Sequence, residues 1–316
     1  MPFQRSHVDV PGSGAWIRTM GVRGPRFGIQ LLRSNRIVTD WGLQASLVRY
    51  IARQTRTQVS IVLEGTGYFE LDGGRFVTLR PGDVVISEQA RQGAEGYAGQ
   101  PSAVLIVDWA EDVLRGAHRG PPSIGALGGG SFARVFAACE AAEDIHATNT
   151  VAADEWGRGM LETLRAAGLI DVSTAWIRHE SLTGAPSAAS EVFAALGDVR
   201  ASLHEHPSLA QVAERTEISE RHLRRAFDAM NEELETGIGG WRDALGDLRI
   251  AMSQQLLSVP ELPLATVAKR SGFRSAVALC HAFAERGGGT PRMLARAIRE
   301  RWELRSDLRH WDEAAE

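Results

Sequence analysis

Lysine is almost missing from this chain: of its 35 Lys+Arg residues, only Lys269 is lysine. Basic chemistry therefore falls to guanidinium groups, which stay charged and present a planar fork to carboxylates and phosphates. Cysteine is scarce as well. Cys139 and Cys280 stand far apart in apolar surroundings, which gives neither a zinc spacing nor a disulfide framework and reads as small hydrophobes in a reducing compartment. Apolar runs such as Ala103 to Val107 are far too short to span a bilayer, and the opening Met1-Pro-Phe-Gln-Arg-Ser-His has no apolar leader core. A cytoplasmic protein with no membrane partner is expected. Histidine is absent between His7 and His118, so a metal-dependent β-barrel enzyme would lack its usual ligands there. The glycine runs 128–130 and 287–289 lack the Lys-Ser/Thr of a phosphate loop. No nucleophile and base can be paired by spacing. The expectation is a non-enzyme with no cofactor and no metal.

What is present suits a soluble globular protein of two domains: 316 residues, 44% hydrophobic and 23% charged. The net charge of −4 is spread unevenly. Residues 1–197 are net −2, 198–305 net +1 and the last eleven net −3. That contrast is small, so position matters more than bulk charge.

Residues 27–110 read as β structure. Leu43–Tyr50, Gln58–Leu63, Tyr68–Leu71, Phe76–Leu79, Val84–Ser87 and Ala103–Asp108 are short runs rich in β-branched and aromatic residues. Turn chemistry separates them at Glu64-Gly65-Thr66-Gly67, Asp72-Gly73-Gly74 and Arg80-Pro81-Gly82-Asp83. Such spacing predicts a sandwich or small barrel. After Gly128-Gly129-Gly130 the period changes. Phe132, Val135 and Phe136, then Met160, Leu161, Leu164 and Leu169, recur at helical steps. Helices are predicted at 131–145, 150–167 and 172–183, with a linker at 183–187. The apolar stripes of 131–167 suit self-association into a homodimer, packing on the chain's own barrel, or both. Helical sequence resumes near 188 and runs to about 304.

The informative feature is an internal repeat. One copy reads Leu209-Ala-Gln-Val-Ala-Glu-Arg-Thr216, Ile218-Ser219, Leu223 and Phe227. The other reads Leu264-Ala-Thr-Val-Ala-Lys-Arg-Ser271, Gly272-Phe273, Ser275, Leu279 and Phe283. The offset is 55 up to Phe273 and 56 from Ser275, so Arg274 is an added residue in the second turn. Each copy supplies a short helix with a small residue for close approach, Ala213 or Ala268. An apolar plug follows, then a serine able to cap a second helix. That is the helix-turn-helix pattern, whose second helix enters a major groove.

These residues, with Leu248-Arg-Ile, Leu256-Leu257, Ser271-Gly-Phe273 and Gly289-Thr-Pro291, resemble the arabinose-regulator (AraC/XylS) family over about 190–303. The resemblance implies a seven-helix domain in which a long central helix, here about 237–258, joins two DNA-reading units. Val62-Leu-Glu-Gly65 and Leu79-Arg-Pro-Gly-Asp83 resemble that family's cupin-like effector domain. The implied fold is α+β. A cupin-like domain occupies 1–183, with its barrel at 27–110 and helices at 131–183. A DNA-binding domain occupies 188–305, with helix-turn-helix units at 207–230 and 263–287.

Carried over residue by residue, the resemblance puts base-edge contacts at Arg221, Arg224 and Arg225, which share one helix face. The second unit departs from the pattern. Its matching positions are Ala276, Val277 and His281, flanked by Arg274 and Ser275, and two of the three cannot donate a hydrogen bond. Arg274 is better suited to phosphate. The join Asn231–Asp247 is longer than usual for the family and carries Gly237, Gly239 and Gly240. In the barrel, Trp41, Arg49, Tyr68 and Tyr97 are candidate effector contacts. The resulting reading is a sequence-specific transcription activator, with double-stranded DNA, RNA polymerase and a small-molecule effector as partners. The alternative is a relative with impaired DNA reading that acts through protein contacts.

Overall fold

The computed structural model describes residues 3–10, 12–23, 27–40, 56–71, 75–88, 95–110, 122–146, 149–171, 188–234, 239–259, 262–286 and 289–300. The strand Leu43–Tyr50, the helix 172–183 and the linker 183–187 read from the sequence lie outside them.

The first part is an antiparallel sheet with the order β1-β2-β3-β8-β5-β7-β9. Its strands are β1 (Phe3–Val10), β2 (Ala15–Arg23), β3 (Phe27–Asn35), β5 (Arg56–Leu71), β7 (Asp83–Glu88), β8 (Glu95–Ala110) and β9 (Ser123–Ala126). Short β4 (Thr39–Asp40) pairs with β8, and β6 (Arg75–Leu79) pairs with β5. The sheet thus begins before residue 27 and ends after residue 110. One turn read from the sequence is no turn. Glu64-Gly65-Thr66-Gly67 lies within β5, where the β5–β8 register shifts between Val62 and Glu64 and again between Glu64 and Thr66. Gly65 has φ +81°, and a Cβ there would lie 2.6 Å from the Ala98 carbonyl oxygen. The glycine serves a bulge that bends the long strands instead of ending them.

Two cores flank the sheet. Alternate residues of the central strands, among them Leu31, Ile61, Leu105 and Val107, pack on one face with Val135, Cys139, Met160, Leu161 and Leu164. Those last five come from α1 (Gly129–Glu140) and α2 (Thr150–Ala166). The Trp156 indole N–H donates to the Ala138 carbonyl at 2.7 Å and fixes the helix pair. Arg33 reaches Glu140 and Glu143 from the sheet, and Arg5 adds a 3.2 Å contact to Glu143. The apolar stripe of these helices thus packs on the chain's own sheet. The opposite face carries Leu32, Val62, Phe69, Leu79, Tyr97, Val104 and Ile106.

The second part is helical. It comprises α3 (Ala188–Ala201), α4 (Leu209–Thr216), α5 (Glu220–Leu234), α6 (Trp241–Leu256), α7 (Leu264–Arg270), α8 (Ala276–Glu285) and a helix over 291–300, α9. The central helix starts at Trp241 rather than near 237, because Gly240 takes φ +108° at its N-terminus. It is buried nearly all round, from Ala244 to Leu256. One core joins its Leu245, Leu248 and Leu256 to both helix-turn-helix units. The half-buried Arg286 donates through Nε and Nη2 to Oδ1 of the buried Asp247, at 3.1 and 2.7 Å, and ties the end of α8 to α6. Gly246 leaves room for that guanidinium, since a Cβ there would meet Nη2 at 2.8 Å.

Candidate nucleic-acid interface

The sequence repeat is a repeat of hydrogen bonds. In the first turn the Ile218 N–H donates to the Ala213 carbonyl at 3.0 Å, and Glu217 to Glu214 at 3.3 Å. In the second, Phe273 donates to Ala268 at 2.8 Å and Gly272 to Lys269 at 3.2 Å. Both pairs sit at the same offset of 55. They are the closures that satisfy the last carbonyls of a helix ending in a left-handed residue. That residue is Glu217 at φ 57° in one copy and Gly272 at φ 77° in the other.

Each second helix is then capped by the serine the sequence nominates. The Ser219 hydroxyl accepts from the His222 N–H at 3.2 Å, and the Ser275 hydroxyl from the Ala278 N–H at 3.1 Å. A capping box at Ser208 and Gln211 starts α4 as well. Leu223, Ala226, Phe227 and Met230 bury the inner face of α5, and Leu279 and Phe283 that of α8. The Phe227 ring meets Trp241 edge-on at 5.7 Å. With the inner faces spent on the core, the outer faces are fixed.

On α5 the outer face carries Arg221, Arg224 and Arg225, all exposed. Arg224 donates to the Glu220 carboxylate one turn back at 2.7 Å. Arg221 and Arg225 have no ion-pair partner among the described residues. His222 turns the other way and meets Glu191 of α3 at 2.6 Å. On α8, Val277 and His281 are exposed and Ala276 is half-buried. Counted from the two caps, the places of Arg221, Arg224 and Arg225 are taken by Val277, Cys280 and His281, while Ala276 takes that of Glu220. Arg274 is exposed in the turn, ahead of the cap.

One basic residue, the arginine of Leu248-Arg-Ile, is given no contact role by the sequence. Arg249 of α6 is half-buried, and its Nε has no hydrogen-bond partner. It lies 3.1 Å from where a Cβ of Gly272 would be. Burial lowers its pKa, and the neighbouring charge of Arg274 lowers it further. The available signal was an arginine inside an otherwise apolar stretch of the central helix.

The effector set fares differently. Trp41 and Arg49 lie outside the described residues. Tyr97 stands opposite Gly67 and Tyr68 opposite Gly96 on paired strands. Cross-strand partners share a face and successive residues alternate, so the two rings lie on opposite faces and cannot line one pocket. Tyr97 packs in the core with Phe69 and Leu79, whereas Tyr68 stands edge-on to Phe76, which is 36% exposed. Each ring covers its glycine: a Cβ on Gly96 would lie 2.4 Å from the Tyr68 ring, and one on Gly67 2.9 Å from the Tyr97 ring.

No protein-family model matches the chain. No curated protein matches it in sequence. Several solved structures are similar in fold at a loose level. ToxT from Vibrio cholerae is 9% identical over 85% of this chain and 98% of its own, with a TM-score of 0.33. The AraC-like transcriptional activator CuxR is 13% identical over 84% and 90%, also at 0.33. The EutQ protein of Clostridium difficile is 16% identical over 34% of this chain and 78% of its own, at 0.23. Among the described residues, no helix is long and apolar enough to cross a membrane.

Proposed function

We propose that this chain is a sequence-specific DNA-binding transcription regulator and not an enzyme. The observation that carries the reading is the pair of turns closed by equivalent hydrogen bonds, each followed by a serine-capped helix with an exposed outer face. The first of those faces presents three arginines, the side chain best matched to guanine edges and phosphates. In this reading Arg221 and Arg225 are the main readers. Arg224 must first leave Glu220.

The reading extends to activation through RNA polymerase and to control by a small molecule held in the first part of the chain. What supports control from that side is a direct contact. The Val38 N–H donates to the Ser258 hydroxyl at 2.9 Å, just beyond the central helix that both units share. A ligand shifts DNA affinity only by binding two states of the whole chain unequally. The exposed Val277 and the half-buried Ala276 favour a second reading, in which the chain acts through protein contacts and reads DNA poorly. Selection of duplexes from a random pool by the full chain separates the two. Enrichment of a defined site is expected, with affinity falling steeply as salt rises. Recovery of no sequence, with weak and salt-independent binding, would favour the second reading.

A further inference from the structure

We propose that Arg249 and Arg274 together hold one backbone phosphate of duplex DNA, so that the second unit anchors the duplex without reading its sequence. This rests on the DNA-binding reading above.

Between Glu261 and Glu285 the chain has no acidic residue, yet it carries Lys269, Arg270, Arg274 and His281. The first unit interleaves acids with its bases, so that, among the described residues, some of its arginines are paired although Arg221 and Arg225 are not. Arg215 lies 3.6 Å from Asp198 and 3.8 Å from Glu205, and Arg224 is paired with Glu220. Neither Arg249 nor Arg274 has an ion-pair partner among the described residues. The two come from different elements. Arg249 rises from the central helix, and its Nε lies against Gly272, two residues before Arg274. Glycine at that point of the turn admits the guanidinium stem. Two like charges held near each other without a counter-ion disfavour one another; burial is the larger cause of the lowered Arg249 pKa, and the charge of Arg274 adds to it. A phosphate between them reverses the balance, because its oxygens accept from both guanidinium forks.

The helix behind this pair cannot read much. Val277 is 64% exposed and offers only methyl groups, which suit a thymine methyl at best. A phosphate contact fixes register on the duplex and carries no sequence information by itself. The two units then divide the labour, the first reading and the second gripping.

The test uses the full chain, a selected duplex and an unrelated duplex of equal length. R274Q and R249Q are each expected to flatten the log–log salt dependence by about 0.9, the value for one neutralised phosphate. Both should weaken the selected and unrelated duplexes by the same factor, and the double variant should be no flatter than either single one. A neutral methylphosphonate at one linkage should abolish the effect of both. If R249Q does not fold, R249K replaces it, and its deficit must vanish on the duplex with that neutral linkage. An R249Q variant that melts earlier but keeps the wild-type salt slope would overturn the proposal, leaving Arg249 a packing residue. So would an R274Q variant that changes discrimination at one base pair. If the wild-type chain binds no duplex at all, the DNA-binding reading falls too, which is a different failure from steep wild-type binding with unaltered variant slopes.

Discussion

Glu217 and Gly272 occupy the same place in the two turns, yet substitution there should act with opposite sign. Both residues are left-handed, with φ 57° and 77°. That conformation costs an L-residue about 1–2 kcal/mol relative to glycine. Glu217 is exposed and already bears the cost. Replacing it with glycine removes the strain but frees the unfolded chain, which offsets about 0.4–1 kcal/mol. The net for E217G is a gain of about 0–1 kcal/mol. Gly272 is buried, and a Cβ there would sit 2.4 Å from the Leu203 carbonyl oxygen. That carbonyl accepts the His206 N–H that closes the 3₁₀ turn Leu203–Glu205, at 3.1 Å, and cannot swing aside like a side-chain end. G272A therefore bears the left-handed cost and the displacement, together about 2–4 kcal/mol. Thermal and urea denaturation of the two variants, with E217A as a control expected near wild type, measure the contrast. Equal destabilisation by E217G and G272A, or a G272A protein as stable as wild type, would refute the reasoning from turn geometry.

Three further outcomes are expected. R225A should cost about 1–3 kcal/mol of specific binding on a selected duplex, and V277A well under that, as read by titration with melts in parallel; comparable losses in two normally melting proteins would remove the first unit as main reader. D247A strips the half-buried Arg286 of its partner and should cost up to about 3–5 kcal/mol of stability in denaturation, the range for a fully buried pair. The Cys139 thiol, pushed up to about 12 chiefly by burial, with Arg33 pulling weakly the other way, should resist alkylation at pH 8 in the folded chain. Because the folded value lies above the unfolded 9.0, its contribution is neutral below pH 9 and lowers stability as pH rises from 9 towards 12; a stability profile flat over that window would contradict the assignment.

The helical half was legible because its signals are redundant. Period, small residues, plugs and caps recur at an offset of 55 or 56, so the pattern alone places Ser219, Ser275, Leu223 and Phe283. The sheet was less legible where one signal had two meanings. Gly65 and Gly67 look like turn residues, but one allows a bulge and the other underlies a tyrosine ring. A glycine marks a tight backbone or a close approach, and sequence does not say which. Phe3–Val10 escaped because it carries charged residues on an edge strand, where the apolar alternation is faint. The surroundings of Arg249 were not legible because its Nε lies against Gly272, distant in sequence and adjacent in space. The face of a tyrosine needs strand register, which composition does not give.

The core on the inner face of the sheet does not stop at the border between the two parts. Ile17, Ile37 and Tyr97 belong to the same apolar cluster as Leu257, Val259 and Phe283, and Ser258 is buried at the seam with its hydroxyl occupied by Val38. The halves are thus not beads on a string that evolution or a molecular biologist can swap at will. A chimera joining this sheet to a foreign helical half would inherit a mismatched seam, with unsatisfied polar atoms and exposed leucines, however well each half is built. A working chimera should therefore carry residues 36–38 and 257–259 together.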